Sequence, residues 1–197
     1  MTASLATPLQ ERLAARLRRR PAFRFEDTEP PLRAELFSTV QLEAHGRALA
    51  DGHRLETRRG RERLLRRLAA NERLIREAYA VVADAVRAGR APAPAAQWLL
   101  DNYYLIEEQI DLARRHLPPG YSRELPRLTD GPSAGLPRVY DLAAALVTHS
   151  DGAVDLDNVT ALVRGYQSRT ALQLGELWAV PIMLRLTLIE NLRRVSY

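Results

Sequence analysis

Residues 98–128, WLLDNYYLIEEQIDLARRHLPPGYSRELPRL, gather the side chains best suited to chemistry on a sugar or a nucleotide: carboxylates, aromatic rings and guanidiniums. Glu107 and Glu108 are neighbours on a helical segment. Neighbours point about 100° apart, so they cannot face one another as a general acid and base. Asp101 and Glu108 are better placed, one heptad apart on a single face, where a solvated surface or an arginine partner is the competing explanation. Trp98, Tyr103 and Tyr104 have rings able to stack on a sugar, though at helical spacing aromatic residues more often pack. The stretch therefore yields a set of candidate ligand or partner contacts rather than a catalytic pair. These are Trp98, Asp101, Tyr104 and Glu108 on the helix, with Tyr121, Arg123 and Arg138 in the segment that follows.

Other chemistries fare worse. With no cysteine, thiol catalysis, disulfides and thiolate metal sites are excluded. Every basic residue is arginine, which removes lysine Schiff-base chemistry and a P-loop lysine. His45, His53, His116 and His149 are scattered without ligand spacing, and no cofactor or metal is expected in this chain. The segment Gly131-Pro132-Ser133-Ala134-Gly135 lacks the ending of a phosphate loop and reads as a turn, and nothing around Ser133 resembles a nucleophile motif. Arg54, Arg58, Arg59, Arg61, Arg63, Arg66 and Arg67 form a basic cluster without interleaved aromatics. That argues against a nucleic-acid partner and reads first as a solvated helix start, second as a contact for an anionic membrane surface.

The elements that would carry these residues are helices. The fold class expected is all-α: an irregular bundle of five or six helices with one long Pro/Gly-rich loop. A first helix follows Pro31, with Phe37, Val40, Ala44 and Ala48 inward, and stops at Gly52. A second, over 61–87, carries a seam of Leu64, Leu68, Asn71, Ile75, Ala78, Val82 and Ala85, in which Asn71 can fix register. A third, over 95–117, buries Leu99, Tyr103, Ile106, Ile110, Ala113 and Leu117, with Asp111 and Arg115 paired on its surface. The short link between these two predicts an antiparallel hairpin. Residues 118–136 form the long loop, anchored by Leu125, Leu128 and Leu136. A fourth helix starts near Pro137 and ends at Ser150-Asp151-Gly152. A fifth is capped by Asp155, with Leu156, Val159, Leu162, Val163 and Tyr166 inward. The last, over 174–194, is apolar nearly all round and should be the most covered; Pro181 kinks it or marks its start. No strand is expected.

Composition agrees with this picture. Hydrophobic residues make up 46% of the 197, aromatic residues only 6%, and the net charge of +5 permits acidic partners without requiring them. Residues 1–30 read as a basic, loosely ordered arm with a short helix over 5–20, and 31–197 as the helical domain. No signal-peptide core and no bilayer-spanning run is present, so the isolated chain is expected to be soluble.

The segments WLLDNYYLIEEQI, HLPPGYSRELPRL, GPSAGLPRVYDLA and LGELWAVPIMLRLTLIENLRRV, in this order, resemble the N-terminal region of bacterial cyclic β-1,2-glucan synthases. The resemblance covers about 63–195. It implies a parent that joins glucose from UDP-glucose into β-1,2 chains and cyclises the product at the inner membrane. It also implies that this chain is a non-catalytic helical piece on the cytoplasmic side, a scaffold whose partner is the downstream transferase region. The end of the chain directly after its last helix reads as a fragment boundary. Asp155-Leu156-Asp157 has the letters of a nucleotide-sugar motif but sits at a helix start, and no catalytic residue carries over. The alternative function is a carbohydrate- or nucleotide-sugar-binding module using the loop 120–138 with Trp98 and Tyr104.

Overall fold

The computed structural model describes residues 29–56, 58 and 60–196. The arm helix expected over 5–20 lies outside the described residues, as does Arg59. The described chain runs α1 (Thr39–Gly52), β1 (Leu55–Glu56), α2 (Leu64–Arg87), α3 (Pro94–His116), α4 (Tyr121–Glu124), β2 (Arg127–Leu128), α5 (Arg138–His149), α6 (Leu156–Gln167) and α7 (Leu174–Val195). The fold is predominantly all-α. Helix α7 packs against α2, α3 and α5, and α1 lies along α6.

The hairpin of α2 and α3 is antiparallel. Tyr79 stacks on Tyr103 with ring centroids 4.0 Å apart, and Arg114 reaches back to Glu72 at 2.5 Å. The seam of α2 is buried at each of its expected positions, Asn71 included. On α3, Leu99, Ile106, Ile110 and Ala113 are buried while Tyr103 is half-buried. The surface pair differs from expectation: Asp111 meets Arg114 at 2.9 Å, three residues on, because Arg114 also faces Glu72 across the hairpin.

The first helix is shorter and turned differently from the sequence expectation. It begins at Thr39, where Ser38 and Gln41 form a capping box, so Phe37 precedes it. Residues 32–37 instead run as a strap: Leu32 N–H donates to Asn191 Oδ1, Ala34 N–H to the Thr148 carbonyl and Phe37 N–H to the His149 carbonyl. Val40, Ala44 and Ala48 are exposed, and Leu42, Gly46 and Ala50 face inward. The reason is two glycines. A Cβ on Gly46 would collide with the Leu162 carbonyl oxygen, and one on Gly165 with that of Glu43, so α1 and α6 meet backbone to backbone. A pattern search for large apolar residues passes over such a face. The same contact turns Ala161, Leu162, Gly165 and Tyr166 inward on α6 and leaves Leu156 exposed, against expectation, with Val159 and Val163 half-covered.

Two further differences concern 53–63 and the long loop. Leu55 pairs with Leu128 and Glu56 with Arg127 in a two-residue antiparallel ladder, where no strand was expected. Leu125, Leu128 and Leu136 are buried and hold the loop as expected. Gly131 and Gly135 adopt positive φ in the turn around Ser133. Asp155 caps α6 by accepting from Asn158 N–H at 2.7 Å. Helix α7 starts at Leu174 and continues through Pro181, so the proline does not mark its start. Pro181 is exposed, which lets water reach the Leu177 carbonyl that loses its helical donor.

Gly165→Val must push the α1 and α6 backbones apart. It is expected to cost roughly 1–3 kcal/mol, whereas Gly52→Ala, with open space around its Cβ, should be near neutral. Urea unfolding of the two variants checks this; equal stabilities would refute the backbone contact.

Candidate functional site

The polar side chains of α7 that sequence reading missed are the structural centre of the protein. Glu176, Thr187, Glu190 and Arg193 are all buried on the face that also carries Ala179 and Met183. A buried carboxylate needs a cation and further donors to offset its desolvation, and both glutamates have them. Arg138, at the start of α5, donates Nε to Glu176 Oε1 and Nη2 to Oε2, each at 2.6 Å. Gln173 N–H adds a bond of 2.8 Å to Oε2. The remaining Arg138 donors reach the Ala171 carbonyl at 2.9 Å and the Tyr166 hydroxyl at 3.4 Å.

Glu190 forms the second node. Arg67 of α2 donates to both of its oxygens, Tyr140 of α5 donates its hydroxyl at 2.6 Å, and Arg194 donates at 2.6 Å. Burial works against the Glu190 charge, but these donors win and hold its carboxyl at about 2. The same burial, with the carboxylate beside it, pushes the Tyr140 phenol well up. Arg193 and Arg194 bind Glu29, so the start of the described chain is fastened to the end of α7. Arg193 Nε also reaches Asn71 Oδ1 at 3.3 Å, which gives the polar seam residue of α2 its partner. Arg67, expected on a solvated helix start, is thus half-buried and committed to Glu190.

A third cluster joins α1, α5 and α6. His53 Nε2 lies 3.2 Å from Asp141 Oδ2 and Nδ1 lies 3.0 Å from the Tyr166 hydroxyl. Ser133 also bonds to Asp141; burial raises the Asp141 carboxyl, but His53 and Ser133 together hold it below its usual range. Serine, histidine and aspartate are therefore close, yet wired in the wrong order for a nucleophile. A catalytic histidine sits between serine and aspartate, whereas here the carboxylate occupies the middle. Nearby, Phe37 stacks on His149 at 3.8 Å and meets the edge of His45. Burial and His149 keep the His45 imidazole below its ordinary value. Among the described residues, no group of histidines and carboxylates is arranged to hold a metal ion.

The candidate contacts read from sequence fall in three places. Trp98, Asp101, Tyr104 and Glu108 are exposed on α3, and Asp101 is held by Gln97 at 2.7 Å. Tyr121 and Arg123 lie on α4; Tyr121 donates its hydroxyl to the Gly175 carbonyl at 2.5 Å and Arg123 is exposed. Trp98 is roughly 27 Å along the helix from the end of α3. Arg138 is only 3% exposed and committed to Glu176, so it belongs to the core rather than to any contact surface. The exposed apolar residues Leu174, Leu177 and Trp178 on α7 were not singled out from sequence.

Among the described residues seven helices, held at the centre by buried ion pairs, define a helical module, and the sequence comparisons place its likeness. No family model matches the chain. It is 37% identical over 195 residues to the cyclic β-(1,2)-glucan synthase NdvB of Rhizobium meliloti (strain 1021). The match takes in 95% of this chain and 7% of that protein, so the chain resembles one segment of a far longer synthase.

Glu176→Gln leaves the Arg138 charge buried and under-paired and is expected to cost about 3–5 kcal/mol. The double variant Arg138→Met/Glu176→Leu should recover most of that loss. Thermal unfolding decides, and a double variant no better than the single would reject the desolvation argument. Glu190, whose folded value of about 2 lies below its ordinary 4.5, contributes stability that is full above 4.5 and is lost as pH falls toward 2. Glu190→Gln should remove that part of the acid dependence in an acid-unfolding titration.

Proposed function

We propose that this chain is a non-catalytic helical region of a protein resembling cyclic β-1,2-glucan synthase, and that it serves as a scaffold for the transferase part. The observation that carries the reading is where the ionisable side chains go. Arg138 with Glu176, and Arg67 and Tyr140 with Glu190, are consumed in fastening helices to one another. The His53–Asp141 pair is closed off in the same way by Tyr166 and Ser133. Groups committed to neighbours inside a packed core are poorly placed to exchange protons with a substrate. The likeness to a segment of NdvB supplies the parent activity in this proposal: glucosyl transfer from UDP-glucose, with cyclisation, at the bacterial inner membrane.

A second reading has one observation in its favour. Trp98 is 52% exposed and Tyr104 66% exposed on α3, with Asp101 between them. Exposed rings beside a carboxylate are the chemistry of a carbohydrate-binding face.

Two measurements separate the readings. Supplied in trans to a synthase lacking the corresponding segment, the chain should restore β-1,2-glucan production, while alone it should transfer no glucose. Calorimetry with β-1,2-glucan and with UDP-glucose should give no heat. Turnover by the isolated chain would overturn the scaffold reading, and heat that disappears in Trp98→Ala would favour the binding module.

A further inference from the structure

We propose that one end of the bundle, built from the first turns of α7, from α4 and from residues 60–63, is a docking face for an anionic lipid bilayer. Leu174 and Trp178 enter the headgroup layer, and Arg61 and Arg123 meet lipid phosphates. The inference does not rest on the glucan-synthase reading.

The apolar half comes from α7. Leu174 is 72% and Trp178 73% exposed, and Leu177 is partly exposed beside them. With Pro181 they recur every three or four residues, so they form one stripe on the outer side of the helix. Single exposed leucines are ordinary on a protein surface; a contiguous stripe that includes tryptophan is not. The stripe borders an open groove of about 640 Å³ between α6 and α7, lined by Val159, Val163 and Val180. Arg164 is the charged residue in that lining, and no carboxylate accompanies it.

The basic half is tied to the same turn of α7 by two hydrogen bonds. The Tyr121 hydroxyl on the Gly175 carbonyl ties α4 to the first turn of α7. Gly60 N–H donates to the Arg123 carbonyl at 3.3 Å, which ties residues 60–63 to α4. Glu62, the acid between Arg61 and Arg63, is turned inward and accepts from the Ser122 hydroxyl at 2.8 Å. Arg61 and Arg123 are exposed, and among the described residues neither makes a salt bridge. Guanidiniums without a salt bridge, on elements tied to the turn that projects a tryptophan and a leucine, suit an interface with an apolar interior and an anionic skin. A protein-binding patch of the usual kind is depleted of charge at its centre. Among the described residues no helix is long and apolar enough to cross a membrane, so the contact proposed is peripheral.

The test uses phosphatidylcholine vesicles with and without phosphatidylglycerol. Trp98→Phe leaves Trp178 as the tryptophan reporter, since the chain has two. Flotation should show binding only with phosphatidylglycerol and loss of binding in high salt, with a blue shift of Trp178 emission on the bound protein. Arg61→Gln/Arg123→Gln, both at exposed positions, should weaken binding roughly thirty-fold at unchanged circular dichroism, from about 1 kcal/mol per arginine. Leu174→Ser/Trp178→Ser should abolish the bound fraction. The proposal is overturned by failure to bind phosphatidylglycerol vesicles at low salt, by equal binding to neutral vesicles, or by binding without a shift of Trp178. A blue shift that follows protein concentration without vesicles would mark the stripe as a contact between copies of the chain and would equally overturn it. Failure of the trans-complementation experiment would leave these outcomes unchanged.

Discussion

Two carboxylates inside α7 set the terms for the rest of the bundle. Glu176 and Glu190 are essentially without solvent contact, and each ion taken out of water carries a penalty of several kcal/mol that only close, well-directed partners offset. Arg138 meets Glu176 through two parallel bonds, a geometry the planar guanidinium supports and a lysine would not. Arg67 does the same for Glu190 from a different helix. Sliding α7 by one turn, about 5.4 Å, would strip both carboxylates of their cations together. The position of α7 against α5 and α2 is therefore specified far more narrowly than apolar packing specifies it.

The other contacts arrange themselves around that fixed rod. At its far end Arg193 and Arg194 draw in Glu29, and Asn191 takes the Leu32 amide, so the strap is held before α1 begins. Helix α1 then reaches the core mainly through α6, where two glycines allow backbone-to-backbone approach. Because α6 commits its glycine face to α1, its valines turn only partly toward α7, and the groove between α6 and α7 stays open. The exposed first turns of α7 thus follow from choices made elsewhere: the ion pairs fix which face of α7 is inside, and the glycine contact keeps α6 from covering what remains.

How much of this was legible in the sequence depends on whether burial was signalled by size. Helices α2 and α3, with leucine and isoleucine at steps of three and four, announce their buried faces and their hairpin. Helix α1 does not, because its inward position at Gly46 has no side chain to register and Val40 points to water. The two-residue ladder at Leu55 and Leu128 is too short to show alternation. On α7 the apolar composition is plain, but composition alone implied an all-round cover that the structure withholds at Leu174 and Trp178. The glutamates were the available clue. A carboxylate on the same face as Ala179 and Met183 demands a buried cation, and the supply of arginines elsewhere in the chain could have been searched for one. The candidate contact set fared according to exposure: the α3 residues remain on the surface, while Arg138, adjacent to a loop in sequence, is the deepest cation of the core.

The two ends of α7 differ in how their arginines are paired, although arginines crowd near both. At the C-terminal end Arg67, Arg193 and Arg194 converge on Glu29 and Glu190, so most of their charge is offset where it arises. At the N-terminal end the buried cation Arg138 is matched by Glu176, and the guanidiniums of Arg61 and Arg123 stand outside the core without a salt bridge among the described residues. Charge left uncancelled on a surface acts over about a Debye length, roughly 8 Å at physiological salt. Unpaired guanidiniums and projecting apolar side chains are therefore both found toward the end where α7 begins, because the pairing inside the core does not reach Arg61 and Arg123.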